Sequence, residues 1–289
     1  MAIVDYLQLQ QQALERSYKL PCVNISTLPI AKGILKAAEK SNAPIVLSLD
    51  LDCSDFDLLP SIEKLARECK SPVALLAQGI ETTEQASLSI RLGCNALMLK
   101  ASLNNTITNN INDISQSCAI PIIESTEILA DISAELETHT IQAIQSLRHW
   151  KEINECITQE STRFMLDIYA KMNASDQGQI ALSHCKVCRP VEHLIIYNTT
   201  GNDQASAELA AKGRQVLDDI PGVRATWSGT AIKADAKYQW CWLIRFANSQ
   251  VIESYRDHPV HVAYADNYFR PNAADRISID YELIGVDEN

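Results

Sequence analysis

Two stretches in the C-terminal third of the chain combine histidine with tyrosine. Residues 191–197 read V-E-H-L-I-I-Y and carry His193, and residues 255–262 read Y-R-D-H-P-V-H-V, from Tyr255 through His261. Imidazole exchanges protons near neutral pH, and a phenol beside it can orient the ring or donate to a developing enolate. A His–Tyr pair is therefore suited to removing a proton next to a carbonyl group.

A second candidate is the H-C-x-x-C sequence at residues 184–188. Cys185 and Cys188 could hold part of a zinc site or act as a redox pair. A structural zinc needs four ligands, and no second cysteine pair stands at a suitable spacing. A c-type haem motif would need histidine where Arg189 stands. We interpret the segment as a linker with two thiols, and its redox or metal role stays open.

The elements that position His193 and His261 follow the order β-α-β-β-α-β, which is typical of a ferredoxin-like fold. The helices cover one face of such a sheet, so the other face needs a cover, and a second copy of the chain is the simplest one. We therefore expect a homodimer. The predicted strands are residues 192–197, 223–232, 238–246 and 276–283, and the predicted helices are 204–218, with Asn202 or Asp203 as the N-cap, 249–256 and 260–269.

Residues 20–125 alternate short apolar runs with helical stretches, a pattern that indicates βα units around a parallel sheet. Residues 127–180 are predicted to be largely helical, including a long helix over residues 148–172. The predicted strands are residues 20–25, 44–49, 72–77, 96–99 and 120–123, and the predicted helices between them are 27–41, 57–69, 82–92 and 104–117.

The length of 289 residues allows two domains, which we place at residues 1–180 and 191–284 with a linker at 181–190. The net charge of −11 argues against a nucleic-acid partner, because phosphate binding requires a basic surface. The sequence has no secretory signal pattern and no apolar run long enough to span a membrane. Nine scattered cysteines suit a reducing compartment, so we expect a cytoplasmic protein.

The C-terminal pieces resemble the stress-responsive dimeric α/β-barrel (Dabb) family from about Val191 to Leu283. The resemblance rests on the strand with His193, on I-P-G-V at residues 220–223, on a Trp- and Tyr-rich strand and on H-P-V-H-V. It implies two sheets that close into a barrel across a dimer interface. It also implies a pocket between each sheet and its helices.

The family includes polyketide cyclases, and the resemblance implies that His193, Tyr255 and His261 are catalytic. This chain differs from the cyclases at two positions. Trp240 stands where the cyclases have a pocket histidine, and the tyrosine of their first helix corresponds to a position near Gly213. The histidines also have a purely structural interpretation, in which they set a turn and bond to a backbone carbonyl. The expected substrate-binding residues are His258, Trp240, Trp227 and Tyr197.

The N-terminal part resembles class II (metal-dependent) fructose-bisphosphate aldolases in a diffuse way over residues 1–180. The resemblance rests on N-I-S at residues 24–26, N-A-P-I-V-L at 42–47, S-P-V-A-L at 71–75 and L-G-C-N-A-L-M-L-K-A-S at 92–102. The segment I-I-E at 122–124 corresponds to the next strand of the family. A full (β/α)8 barrel needs about 250 residues, so we expect a truncated barrel.

The metal and acid–base motif of that family is missing. Where the family has H-x-D-H-G, an ungapped comparison puts Leu76, Gln78 and Gly79 at the positions of His, Asp and His. A one-residue gap still leaves Ala77 and Gln78 at the Asp and His positions. None of these side chains is a good metal ligand or a proton carrier near neutral pH. We therefore expect no metal, no cofactor and no aldolase activity.

The sequence thus predicts a truncated (β/α) barrel-like α/β domain followed by an α+β ferredoxin-like dimeric α/β-barrel domain. The leading functional hypothesis is a stress-responsive protein that binds a small apolar molecule in the second domain. The first alternative is a cofactor-independent cyclase or isomerase that uses His/Tyr proton transfer on a carbonyl substrate. The second is a divergent ketose-bisphosphate lyase in the first domain.

Overall fold

The computed structural model describes residues 3–50, 55–123, 129–144 and 150–283. The chain divides into two compact units, one of residues 1–112 and 120–188 and the other of residues 113–119 and 189–289. None of the described helices is long and apolar enough to cross a membrane.

The first unit is built on a parallel five-stranded sheet in the order β4-β3-β2-β1-β5. A short 3-10 helix, Asp55–Leu58, precedes α3. The elements in chain order are α1 Tyr6–Glu15, β1 Leu20–Asn24, α2 Leu28–Lys40, β2 Ile45–Asp50, α3 Leu59–Glu68, β3 Val73–Ile80, α4 Thr83–Arg91, β4 Ala96–Leu99, α5 Asn105–Cys118, β5 Leu129–Asp131, α6 Ser133–Ile144, α7 Trp150–Lys171 and α8 Gly178–His184.

The central strands are buried almost completely, which is typical of parallel sheets covered by helices. Local signals set the helix ends around them. Thr82 and Gln85 form a reciprocal capping box at the start of α4, and Gly93, with a φ of 109°, follows its end. The predicted α/β class and the truncated barrel-like sheet are confirmed. The predicted start of the long helix at Arg148 lies outside the described residues.

The fifth strand differs from the sequence prediction. Residues 120–123 contribute one bridge, between Ile122 and Leu97, beside β4. Pro121 has no amide hydrogen to donate, so the ladder cannot extend toward Ile120. Instead β5 pairs with β1 within a stretch that the sequence predicts to be helical. The three residues of β5 are too few for a period-two pattern to be recognised. Glu124, the last residue of the I-I-E segment at 122–124, lies outside the described residues.

The second unit contains an antiparallel sheet in the order β7-β8-β6-β9, and it confirms the ferredoxin-like prediction. Asn202 is the N-cap of its first helix, because its side chain accepts a hydrogen bond of 2.9 Å from the Ala205 amide. A π-helical segment, Ala265–Phe269, links α11 to α12. The elements are β6 Val191–Thr199, α9 Asp203–Leu217, β7 Val223–Thr230, β8 Trp240–Phe246, α10 Val251–Asp257, α11 Pro259–Tyr264, α12 Arg270–Asn272 and β9 Ala273–Glu282.

The two faces of this sheet have different surroundings. Side chains alternate between faces along a strand, so Trp242, Ile244 and Phe246 share the face on which the helices pack, and all three are buried. The opposite face, here called the open face, carries exposed apolar side chains. These are Trp227 on β7 and Ile277, Ile279 and Tyr281 on β9, each between 39% and 45% exposed.

Candidate functional site

A cavity of about 360 Å³ lies between the helix-covered face of the second sheet and the helices α10 and α11. Its floor is largely apolar, and charged side chains stand among its walls. The cavity is lined by His193, Ile195, Phe246, Ile252, Tyr255, Arg256, His261, Ala265, Phe269, Arg270, Arg276, Ser278 and Asp280.

The imidazole of His193 is held by two residues of the neighbouring strand. His193 lies directly opposite Asp280 in the ladder of β6 and β9, and its Nδ1 is 2.6 Å from Oδ1 of that carboxylate. A carboxylate accepts, so Nδ1 carries the proton and donates it. Nε2 lies 3.4 Å from the hydroxyl of Ser278, which shares the same face of β9. Both ring nitrogens therefore have protein partners at the cavity wall.

Tyr255 stands between the two imidazoles. Its ring centroid is 6.3 Å from that of His193 and 4.4 Å from that of His261, and it packs 4.8 Å from Phe246. The side chain is only 4% exposed, and this burial raises the pKa of the phenol well above its ordinary value. The hydroxyl is therefore neutral across the physiological range and is available as a hydrogen-bond donor.

His261 is fixed in one tautomer by the backbone. Its Nδ1 lies 2.9 Å from the carbonyl oxygen of Arg256, so Nδ1 donates and the neutral ring leaves Nε2 as the acceptor. Burial lowers the pKa of His261, and this effect is larger than the opposing effect of the Arg256 carbonyl. The neutral imidazole is thus favoured, and its Nε2 can act as a base.

A small inner recess of about 20 Å³ continues the cavity toward Trp242 and Leu217. The indole of Trp242 fills the space in front of Gly213 on α9. A Cβ atom at Gly213 would lie 2.3 Å from Cη2 of Trp242 and 2.6 Å from the hydroxyl oxygen of Tyr264. The indole of Trp242 therefore lines the inner recess and leaves no room for a side chain at residue 213.

The structure brings the three predicted catalytic residues His193, Tyr255 and His261 together in one cavity. It places the four predicted substrate-binding residues outside the lining. His258 is the N-cap of α11, because its Nδ1 accepts from the Val260 amide at 3.3 Å.

The three aromatic residues expected to bind substrate have other positions. Trp227 lies on the open face, paired in register with Leu243, and its ring is 5.4 Å from the guanidinium carbon of Arg245. Tyr197 is completely buried against Phe269, with ring centroids 5.0 Å apart. Trp240 pairs with Tyr197 at the start of β8. Strand alternation directs Trp227 to the open face. Tyr197 and Trp240 share the helix-covered face with His193, but neither lines the cavity.

The polar cavity residues of β9 were not predicted from the sequence. Arg276, Ser278 and Asp280 alternate with Ile277 and Ile279, which indicates a shared face. Which face they share depends on the register with His193, and register is not apparent from a single strand. Arg256 and Arg270 follow ordinary helical surface patterns, and no sequence signal distinguishes them.

The β3 residues that the sequence resemblance aligns with a metal motif carry no usual metal ligand. Leu76 and Ala77 on β3 are completely buried and aliphatic, Gln78 carries an amide, and Gly79 has no side chain. The neighbouring strand ends are joined by an ion pair between Glu81 and Lys100. Across residues 3–50, 55–123, 129–144 and 150–283, no group of three His, Cys, Asp or Glu side chains is arranged to hold a metal ion.

Cys185 and Cys188 are packed into the first unit. Cys185 ends α8 and is 6% exposed, and burial raises the pKa of its thiol to about 11. The Cys188 amide donates to the Ile3 carbonyl at 2.8 Å, and its sulfur lies 3.6 Å from Nδ2 of Asn95. Burial also raises the pKa of Cys188. Both thiols are therefore protonated near neutral pH and are poor nucleophiles.

Two family models match the sequence. The model described as "Fructose-bisphosphate aldolase class-II" matches residues 4–165, which is more than half of the chain. The model described as "Stress responsive A/B Barrel Domain" matches residues 191–283. No curated protein matches the chain.

Solved structures similar to the chain represent both parts. The YdjI aldolase from Escherichia coli K12 has a TM-score of 0.55 and 12% identity, over 62% of this chain and 100% of that one, and this likeness concerns the fold alone. A dabb family protein with a ferredoxin-like fold from Mesorhizobium loti MAFF303099 has a TM-score of 0.32 and 21% identity, over 34% and 99%. A dimeric ferredoxin-like protein from Thermobifida fusca YX has a TM-score of 0.30 and 18% identity, over 33% and 92%.

Proposed function

The chain belongs to the class II fructose-bisphosphate aldolase family and carries a C-terminal stress-responsive A/B barrel domain, and we propose that this second domain binds a small apolar molecule. The supporting observation is the cavity of about 360 Å³ beside Tyr255. Its floor includes Ile195, Phe246 and Phe269. Concave, mostly apolar sites with a few polar groups are the usual form of small-molecule sites.

Binding can be tested with the neutral fluorescent probe N-phenyl-1-naphthylamine, displaced by 1-octanol. The Ile252→Trp variant should fill the cavity, because Ile252 lines it and is only partly buried. The control Val260→Trp adds the same ring at a side chain that is 38% exposed and does not line the cavity. We expect saturable binding in the unmodified chain and in the control, with a loss of at least about tenfold in Ile252→Trp. Equal binding in all three proteins, or none in the unmodified chain, would contradict the proposal.

We further propose that the protein is a homodimer through the open face. A row of cross-strand neighbours, Trp227, Leu243, Leu194 and Ile279, crosses the whole sheet on this face. Two of them are more than 40% exposed in the single chain. Exposed apolar patches of this kind are removed from water by association, and a two-fold axis lets one patch cover its own copy.

A second candidate function is cofactor-independent proton transfer on a carbonyl compound. The observation in its favour is the hydrogen bond of 2.9 Å from His261 Nδ1 to the Arg256 carbonyl, which leaves Nε2 as a base in the cavity. Nε2 would remove a proton beside the carbonyl, and the neutral phenol of Tyr255 would donate to the developing enolate oxygen. His193, held by Asp280, would orient the substrate.

This candidate is tested by exchange of the α-protons of 2-octanone in D₂O, followed by NMR. We expect exchange above the buffer rate in the unmodified chain and a decrease of about 100-fold in His261→Gln. Binding of 2-octanone should be retained in that variant. If the unmodified chain does not exceed the buffer rate, or if His261→Gln exchanges equally fast, the enzyme hypothesis fails and the binding function stands alone.

For the first domain we propose a non-catalytic role. The proposal is supported by Leu76, Ala77 and Gln78 on β3, which supply neither a metal ligand of the usual kind nor a proton carrier. Fructose 1,6-bisphosphate should not be cleaved, with or without added zinc. Stoichiometric zinc in the purified protein, together with cleavage, would instead support the divergent lyase.

A further inference from the structure

Three arginines line the cavity of the second unit, and they are not equivalent. Arg256 forms a two-point ion pair with Asp257, at 2.9 and 3.2 Å. Arg270 forms an ion pair with Asp266, one turn earlier. Each of these two guanidinium groups therefore has a carboxylate of its own, and both pairs are largely exposed to solvent.

Arg276 is exposed as well, but it differs from the other two in its partners. Nη1 of Arg276 donates to the carbonyl oxygen of Ala273 at 3.3 Å, and no carboxylate pairs with it among the residues that the structure describes. Asp280 is the acidic residue of the cavity lining, but it stands four residues along β9, about 13 Å away at the usual rise of a strand. That carboxylate is also engaged with His193. Among the described residues, Arg276 is therefore the cavity arginine that forms no ion pair.

From this arrangement, and resting on the proposed binding function, we infer that the ligand is an apolar monocarboxylate whose carboxylate binds Arg276. A guanidinium presents paired N–H donors that match the two oxygens of a carboxylate. Because Arg276 alone among the described cavity arginines has no ion-pair partner, a ligand with a single negative charge would match it. A neutral apolar ligand would cover part of the polar wall and leave Arg276 without a counter-ion.

The position of Arg276 also sets the direction of the ligand in the cavity. Arg276 lies opposite Tyr197 in the ladder, whereas Asp280 lies opposite His193 at the other end of the same polar row. Ile195 lies between these ends on β6 and lines the cavity. With its carboxylate at Arg276, the ligand extends its apolar part past Ile195 toward His193 and Tyr255.

The test compares octanoate with 1-octanol, which share one apolar chain and differ in charge. Displacement of N-phenyl-1-naphthylamine is measured at pH 8, where arginine is fully charged and the lowered pKa of His261 leaves its ring neutral. The variants are Arg276→Met, which keeps an apolar stem, and Arg276→Lys, which keeps the charge without the fork. The control is Arg214→Met, at an exposed residue of α9 outside the cavity lining.

We expect octanoate to bind about tenfold more tightly than 1-octanol in the unmodified chain and in Arg214→Met. This is the gain in affinity expected from a hydrogen bond between a charged guanidinium and a carboxylate. The preference should disappear in Arg276→Met and persist in part in Arg276→Lys, while 1-octanol binds all four proteins equally. Equal binding of both probes to the unmodified chain, or a preference that survives Arg276→Met, would overturn the inference and leave the proposed function intact. If neither probe binds the unmodified chain, the proposed function itself fails.

Discussion

Nδ1 of His193 lies 2.6 Å from Oδ1 of Asp280, its direct neighbour across the ladder of β6 and β9. The His193 side chain is 16% exposed, and that of Asp280 is 39% exposed. This pair fixes the imidazole at one end of the cavity. The register between the two strands therefore determines where a histidine of the site can act.

Removing the carboxylate of Asp280 should weaken the fold slightly. In Asp280→Ala the imidazole loses an acceptor, and we expect the free energy of unfolding to fall by about 0.5–1 kcal/mol because the pair is partly exposed. Asp275→Ala, at an exposed residue on the same strand, is the matched control and should change little. Urea unfolding followed by tryptophan fluorescence gives the comparison. Equal stability of the two variants would show that the pair contributes nothing.

A methyl group at Gly213 should be poorly tolerated. The Cβ of Gly213→Ala would overlap the indole of Trp242, so we expect a loss of about 1–3 kcal/mol despite the better helix propensity of alanine. Gly201→Ala is the control, because its Cβ meets only the Cβ of Ala205, at 3.2 Å. Thermal unfolding should separate them. Two variants of equal stability would mean that Trp242 moves aside freely.

The stability of the second unit should decrease as the pH falls through the histidine range. Burial lowers the pKa of both His258 and His261 below 6.5 in the folded state. Between the lowered pKa values of the folded state and 6.5, these histidines bind more protons in the unfolded chain than in the folded one. The free energy of unfolding is therefore highest above pH 6.5 and falls as the pH is lowered through this window.

Urea unfolding at pH 7.5, 6.5 and 5.5 measures this dependence. The double variant His258→Gln with His261→Gln should show a smaller loss of unfolding free energy between the first and last pH. A slope as steep as that of the unmodified chain would assign the effect to other groups.

Dimerisation should depend on the open face. Ile279→Lys places a charge within the apolar row on β9, and burying an unpaired ammonium is unfavourable. We expect a monomer by light scattering coupled to size exclusion. Ile232→Lys is the control, since Ile232 is fully exposed in the segment between β7 and β8 and lies outside that row. A dimer that survives Ile279→Lys, or an unmodified chain that is monomeric, would refute the proposed interface.

Much of the fold follows from local patterns in the sequence. The capping residues Thr27, Thr82 and Asn202 mark three helix starts, and alternation along β8 separates its buried and open faces. The resemblances supplied both fold classes, which are confirmed. The strand Leu129–Asp131 was not predicted, because its pairing with β1 joins residues more than one hundred positions apart and leaves no local signal.

The candidate site was only partly predictable. His193, Tyr255 and His261 line one cavity, but Asp280 and Arg276 enter it through the register of β6 with β9. Strand pairing also excludes a predicted residue, because the position of Trp227 on β7 directs its side chain to the open face and away from the cavity. Residue type suggested the chemistry in each case, and long-range pairing decided which side chains can take part.

The close contact between Gly213 and Trp242 also constrains how this domain can change over evolutionary time. A lineage that gains a larger side chain at residue 213 must first replace the indole at residue 242, since the reverse order passes through a chain with overlapping atoms. A substitution of Trp242 must therefore come before a substitution of Gly213. Descendants that retain Trp242 are therefore expected to keep glycine at residue 213.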